Sequence, residues 1–543
     1  MKKLLSILLV LCMLGSLTAA FAEDVSLAPY PEPVKLTIGQ AIDPTASMPE
    51  GQTIEDNYFT RLIKEYLNVE IETLWYVALA DKDQKINLTI ASNDLPEAMV
   101  VNAAQFHTMC KSDQLADLTE VFEQYVSPKA REIYEKNDRA ALKAATYNGK
   151  LMALPSVTTT GDGYHTMWIR KDWLDKLGLE VPKTIDEVEA VAKAFVDAKL
   201  GGENTIGIAG PSSGGQMYAN FLNSTNNIYG LDPIFSAMNA FPGYWIKDEN
   251  GNAVYGSITK ETRAALERLA QMYQSGAIDP EIGVRKESAE TVISGQAGIF
   301  FGTWWMTWSP LMDAIRIDPE ANWQCYAVPL TEDGKWKPHL GSPTSQYLVI
   351  KKGYEHPEVA VKLTNFALEG VDGKDMFTEL APNFYPVRIV LSQPDECQFN
   401  GRFMRDYLLG KVGLDDFDHM QYAVLAEALE QIHEAKLEPY DNYDMKYWNF
   451  NADGWARGYA TLVGCLPIVD AEPYTEPVYS ITYSQTETMA KRWTNLKRLE
   501  DETFLKIVVG NAPIETFDTF VEEWLKQGGE KITAEVQEIA QAQ

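Results

Sequence analysis

Thirteen Trp and 26 Tyr residues are more than an α/β core of this size requires. Three of the tryptophans fall almost together, at Trp304, Trp305 and Trp308. Indole and phenol faces stack on the apolar C–H faces of sugar rings, while Asp, Asn, Gln and Arg bond the rim hydroxyls. Residues 298–301 read as a buried strand, and α/β folds collect ligands at the C-terminal ends of strands. Neither a period of 2 nor one of 3.6 hides all three indoles on one face. At least one is therefore expected to face a cleft.

Bond-making chemistry leaves weaker marks. Gly210-Pro-Ser-Ser-Gly214 has the G-x-S-x-G form of an esterase elbow and follows an expected strand at 205–209, which would make Ser212 a nucleophile. His339, His356, His419 and His433 lie downstream, so the required chain order is available by count. Pro, Ser and Gly are equally ordinary loop formers, and Gly215-Gln-Met-Tyr218 is a poor helix start; the segment reads as a loop. A glycosidase needs two carboxylates about the sugar bond, but 77 acids make any one pair uninformative. No H-E-x-x-H, P-loop or dinucleotide fingerprint occurs, so neither a metal nor a cofactor is expected. Cys110, Cys325, Cys397 and Cys465 lack C-x-x-C spacing and are expected as four isolated thiols.

These groups need elements to hold them. Strands are expected at 34–38, 69–75 and 98–101, with helices at 57–66 and 82–91, the rhythm of an α/β lobe. It returns at 205–209, 262–273, 298–301, 347–351 and 358–368. Between these stretches, Asn148-Gly149 is a tight-hairpin signal joining 143–147 to 150–154. An extended run at 164–170 leads into a short helix from Asp172 to about Gly178. Pro182 and Thr184 open the next helix, where Thr184 and Glu187 form a capping box and Ile185, Val188, Val191, Ala192, Phe195 and Val196 one apolar stripe.

The first residues read as an export leader: basic Lys2 and Lys3, an apolar core at 4–14, and Ala20-Phe21-Ala22 as a small-x-small cleavage site. Leu11 precedes Cys12 inside the apolar core, where a lipid-attachment signal would need a small residue at the core's end. Cleavage after Ala22 without a lipid anchor is expected, giving a periplasmic, extracellular or cell-envelope protein. The net charge of −30 repels nucleic acid and anionic membrane surfaces, although a local pocket can oppose the global sign.

The stretch from Gly149 to Val188 resembles the extracellular solute-binding proteins of carbohydrate ABC importers, in their large oligosaccharide-binding branch. Further strings in the same order carry the resemblance: Leu88-Thr-Ile-Ala-Ser-Asn-Asp-Leu-Pro96, Leu115-Ala-Asp-Leu118, Gly295-Gln-Ala-Gly-Ile-Phe-Phe-Gly-Thr-Trp304, His356-Pro-Glu-Val-Ala360, and Lys506-Ile-Val-Val-Gly510 with Gly528-Gly529. It implies a two-lobed, type II-like periplasmic-binding-protein fold of α/β class, with a cleft between lobes and a hinge. A leader at 1–22 would precede a first lobe at 23–156 and 345–390 and a second at 157–344 and 391–543. Crossings between lobes are expected near Pro155, at 341–346 and at 385–388.

The implied activity is ligand capture without bond chemistry: a monomer that holds an oligosaccharide and passes it to a permease, with no cofactor. Gly302-Thr-Trp304 is similar to the family's Gly-x-Trp, whose indole stacks on sugar, and Trp305 is its neighbour. The other expected contacts are Asp43 and Asn57 about the loop after the first strand, and Gln105 after 98–101. Asp162, Tyr164 and Trp168 follow past the hinge, with Tyr385 at a crossing and Tyr479 in a late loop. Many large members carry a calcium loop after the helix that Thr184 opens. Here Lys199 and Gly201 replace the oxygen donors such a loop needs, and Asp248-Glu-Asn250-Gly-Asn252 reads as a hairpin turn. A peptide or other solute is the rival ligand, and a secreted esterase or glycosidase the rival class.

Overall fold

The computed structural model describes residues 25–42, 48–224, 227–371, 376–378, 380–419, 422–432 and 455–542. Two sheets organise it. The first runs in the order Val69–Ala78, Val34–Ile42, Ala98–Val101, Tyr347–Ile350, Leu154–Pro155. Its first three strands are parallel, and Tyr347–Ile350 pairs antiparallel with both of its neighbours. The second runs Trp323–Tyr326, Thr166–Arg170, Ala297–Gly302, Ile206–Ile208, antiparallel except for the last pair.

Each sheet carries its own core. Leu36, Ile38, Phe59, Val349 and Phe366 belong to one buried cluster, and Ile169, Phe195, Ile299, Phe504 and Trp524 to another. The second sheet packs a further cluster with Trp168, Phe300 and Trp323, and the two sheets organise two α/β lobes. Three segments run side by side between them: Ser156 N donates to Gln346 O, Thr158 N to Pro343 O, and Val157 N to Val390 O. The third segment therefore passes at 390–394, where Thr160 N also donates to Pro394 O, a few residues beyond 385–388.

Local signals produced local structure. Thr184 caps Ile185–Asp197 through the capping box with Glu187, burying Val188, Val191, Ala192 and Phe195. Gly178 closes Lys171–Leu177 in the left-handed region, at φ 65°. The hairpin at Asn148-Gly149 pairs only Thr146–Tyr147 with Lys150–Leu151, because Lys143 still belongs to the helix Pro128–Ala144. The edge strand Trp323–Tyr326 and the helix Glu396–Leu408 gave no recognisable sequence signal. Among the described residues no helix is long and apolar enough to cross a membrane.

Candidate functional site

The C-terminal ends of the first sheet's parallel strands open into a cavity of about 470 Å³. Its floor is set by a register shift between Ile38 and Gly39, which makes Gly39 partner Trp75 and leaves Leu74 as the extra residue. Such a bulge re-aims the side chain beside it. The Trp75 indole lies over Gly39, where a Cβ would come within 2.2 Å of Cζ2. Its Nε1 is buried without a hydrogen-bond partner, as is Oδ1 of Asn383 on the cavity's rim. Gln40 Nε2 donates to Asn383 O at 3.0 Å and fixes that rim. Lys85 Nζ stands 5.4 Å from the Trp75 ring centre. Lys82 and Arg388 also line the cavity, and no described lining residue is a carboxylate. Burial holds the Lys82 ammonium below its usual pKa.

A second aromatic face stands on the other lobe. Trp304 follows the strand Ala297–Gly302 and is half-buried, edge-to-face on Trp308 with ring centres 5.7 Å apart. Gly464 packs on its backbone, so that a Cβ there would lie 2.1 Å from Trp304 O. Tyr164 stacks on Trp336 at 5.4 Å and accepts from Gln398 Nε2 at 3.2 Å, and burial pushes its phenol up to about 12. Trp304, Tyr164, Trp336 and Tyr479 share one small cluster. Tyr479 also lines a 160 Å³ cavity together with His107, Lys143 and Pro343, so that cavity draws its lining from both lobes. Trp305 is half-buried too, against a neighbouring core.

Three of the expected contacts have structural roles. Trp168 is fully buried, stacked on Phe300, and its indole N–H donates to Thr303 O at 3.0 Å. Asn57 caps the helix Tyr58–Leu67: Oδ1 accepts from Phe59 N and Thr60 N while Nδ2 donates to Thr53 O and Ile54 O. Gln105 closes the capping box at Asn102 and donates to Asp83 and Asn87. Tyr385 reaches the 470 Å³ cavity, but only with its ring, since its hydroxyl donates to Leu363 O. Asp43 lies outside the described residues, as does the side chain of Asp162. Trp75, Gln40, Asn383 and Arg388 went unrecognised in the sequence; the one available signal was Gly39, a strand glycine that marks close approach.

Other polar groups are committed elsewhere. Ser212 Oγ donates to Ser288 Oγ and accepts from Ser288 N, which closes a loop. Asp248 accepts from Asn250 N and Asn252 N, tying the hairpin turn between Trp245–Lys247 and Ala253–Tyr255. His165, Asp232 and His339 bring three potential ligand atoms within 4.8 Å of one another. Asp232 Oδ1 lies 2.7 Å from His339 Nε2, tight for two ligands of a tetrahedral ion at ~2.1 Å each. Oδ1 also accepts from Ala219 N, and Oδ2 from Asn227 Nδ2. His165 Nε2 in turn accepts from Asn227 N, so the chain itself already occupies these ligand atoms. The thiols depart from expectation: Cys397 and Cys465 are in contact, their sulfurs 2.7 Å apart.

Comparison with known proteins bears on this geometry. Residues 45–369 match the sequence profile described as bacterial extracellular solute-binding protein. Over 486 residues the chain is 21% identical to the polygalacturonan/rhamnogalacturonan-binding protein YtcQ of Bacillus subtilis, covering 88% of this chain and 86% of that one. Over 202 residues it is 30% identical to the fructooligosaccharide ABC transporter substrate-binding protein FusA of Streptococcus pneumoniae, 35% of this chain and 36% of the relative. A solved HMO-binding, ABC-transporter-associated solute-binding protein of Bifidobacterium longum infantis shares the fold, with a TM-score of 0.55 at 14% identity over 95% of this chain and 99% of that one.

Proposed function

The chain belongs to the bacterial extracellular solute-binding proteins, and from that premise we propose that it captures an oligosaccharide outside the cytoplasm and delivers it to the permease of an ABC importer. The observation that carries this reading is the first-lobe cavity, whose lining includes a half-buried indole with an unpartnered N–H and an amide with an unpartnered oxygen. Buried polar atoms without partners are costly, and ligand hydroxyls would satisfy both while the indole stacks on a ring face. The half-buried Trp304 would supply a second face from the other lobe, with Tyr164 and Trp336 buried in the cluster it packs against. Contacts from both lobes favour the closed state about the hinge at 155–160, 342–346 and 390–394. The lobes are read as 23–156 with 345–390 and 157–344 with 391–543, in a monomer released by cleavage after Ala22 and not lipid-anchored. The two relatives are named for oligo- and polysaccharide ligands, which supports a sugar over a peptide.

The lining charge favours an acidic sugar. In a chain of net charge −30, the described lining carries Lys82 and Arg388 and no carboxylate. YtcQ is named for an acidic polysaccharide. Titration calorimetry with matched uronic-acid and neutral oligosaccharides tests both statements. Saturable binding, tighter for the acidic series and weakened by salt, is expected. Equal affinity for the two series removes the acidic reading. Binding of peptides alone removes the sugar, and turnover of a chromogenic ester or glycoside removes the binding-protein reading.

A further inference from the structure

We propose that Cys397 and Cys465 are joined as a disulfide once the chain folds outside the cytoplasm, a statement that rests on the export reading. Their sulfurs lie 2.7 Å apart, closer than unbonded sulfurs rest, against the ~2.05 Å of the covalent bond. Cys397 stands in the first turn of Glu396–Leu408, and Cys465 joins the wide turn Ala460–Gly464 to the helix Leu466–Ala471. The two backbones are already close, since a Cβ on Gly401, one turn on from Cys397, would lie 3.2 Å from Cys465 Cβ. The two elements that carry the cysteines are therefore packed directly against each other.

The remaining thiols do not compete. Cys110 belongs to the first lobe's core. Cys325 donates to Thr166 Oγ1 at 3.1 Å, and burial raises its pKa well above the usual thiol value. A metal thiolate is not the reading either, because the one group with ligand spacing among the described residues is His165, Asp232 and His339.

Joining the pair removes two protons and two electrons. One thiolate attacks a disulfide-bearing oxidant and displaces its first thiol. The second thiolate then attacks the mixed disulfide and displaces the other, so one disulfide is consumed and one formed. Both sulfurs are buried in the folded lobe, with Gly161 closed over Cys397, so the exchange belongs to folding after export. The bond would brace the wall of the candidate site: Gly464, beside Cys465, supports the Trp304 backbone, and Gly161 lies between Cys397 and Trp304 Nε1.

The test unfolds and reduces the full chain, then refolds it with mixed reduced and oxidised glutathione. Denaturing alkylation with iodoacetamide and peptide mapping follow. We expect Cys110 and Cys325 to be alkylated and one linked peptide to join Cys397 to Cys465. Cys397→Ala and Cys465→Ala should each leave the other cysteine alkylated and unlinked. Reduction should lower the urea midpoint of the wild type and leave that of the double alanine variant unchanged. Alkylation of both cysteines in the refolded wild type, or a link through Cys110 or Cys325, overturns the pair whatever the protein's location. A pair that links on refolding in a chain recovered only from the cytoplasm overturns the export premise instead.

Discussion

The Trp75 indole lies flat across Gly39, so close that a methyl group there would come within 2.2 Å of the ring. The contact is made possible by the bulge at Ile38/Gly39, which shifts the partner of Gly39 from Leu74 to Trp75. Leu74 is left 50% exposed, while Trp75 is half-buried and lines the cavity. One glycine and one extra residue thus create the aromatic floor of the first lobe's site.

Trp75→Ala should weaken oligosaccharide binding by about 2 kcal/mol or more, over tenfold, as truncating a central aromatic anchor commonly does. Gly39→Ala should cost a similar factor, because its methyl displaces the same ring. The double variant should be little worse than either alone, since contacting residues are non-additive. Calorimetry on the four proteins decides, and full additivity would separate Gly39 from the site.

Asn57→Ala should destabilise the protein and spare its affinity. The side chain accepts two amide protons of the first helical turn, and loss of such a cap costs about 1 kcal/mol. An unchanged urea midpoint with reduced sugar affinity would return Asn57 to the ligand site.

What the sequence disclosed was what neighbours in the chain decide. The Thr184–Glu187 capping box and the Asn148-Gly149 turn each depend on a handful of consecutive residues, and both formed. Trp75 stayed hidden because its direction depends on the register between two strands about a helix apart. Asn57 and Gln105 are engaged in helix caps, and the amide groups that bind sugar hydroxyls also cap helices, so composition does not separate the two uses. The sulfur contact joins residues 68 positions apart, beyond any spacing rule. Trp304 drew notice because it follows a strand end within an aromatic run, whereas the cluster it shares with Tyr164 and Trp336 joins distant parts of the chain.

Acid should destabilise the fold through His165. Burial is the largest influence on this ring, opposed by the charge of Asp232 and reinforced by His339, and holds its pKa at about 4 against the ordinary 6.5. Between those values the unfolded chain binds a proton that the folded chain refuses. The stability conferred by the neutral ring is therefore complete above pH 6.5. It is lost as pH falls toward 4, at about 1.4 kcal/mol per pH unit. Urea midpoints against pH should fall more steeply for the wild type than for His165→Gln in that window. Parallel curves would mean that His165 titrates normally.

Trp304→Ala should separate recognition from folding. Trp304 follows a fully buried strand, yet it is itself half-buried, its ring against Trp308 and its backbone against Gly464. If its exposed face carries a sugar ring, truncation removes a central aromatic contact worth on the order of 2 kcal/mol, more than tenfold in affinity. The folding cost should stay below the roughly 3–5 kcal/mol of a wholly buried tryptophan. Trp168→Ala is the matched control, because Trp168 is fully buried and bonded to Thr303 O. It should lower the ligand-free Tm more than Trp304→Ala does. Calorimetric affinity and Tm, measured on both variants, give four numbers. Intact affinity with a large loss of Tm at Trp304 would make it a core residue and pass the stacking role on this lobe to Trp305.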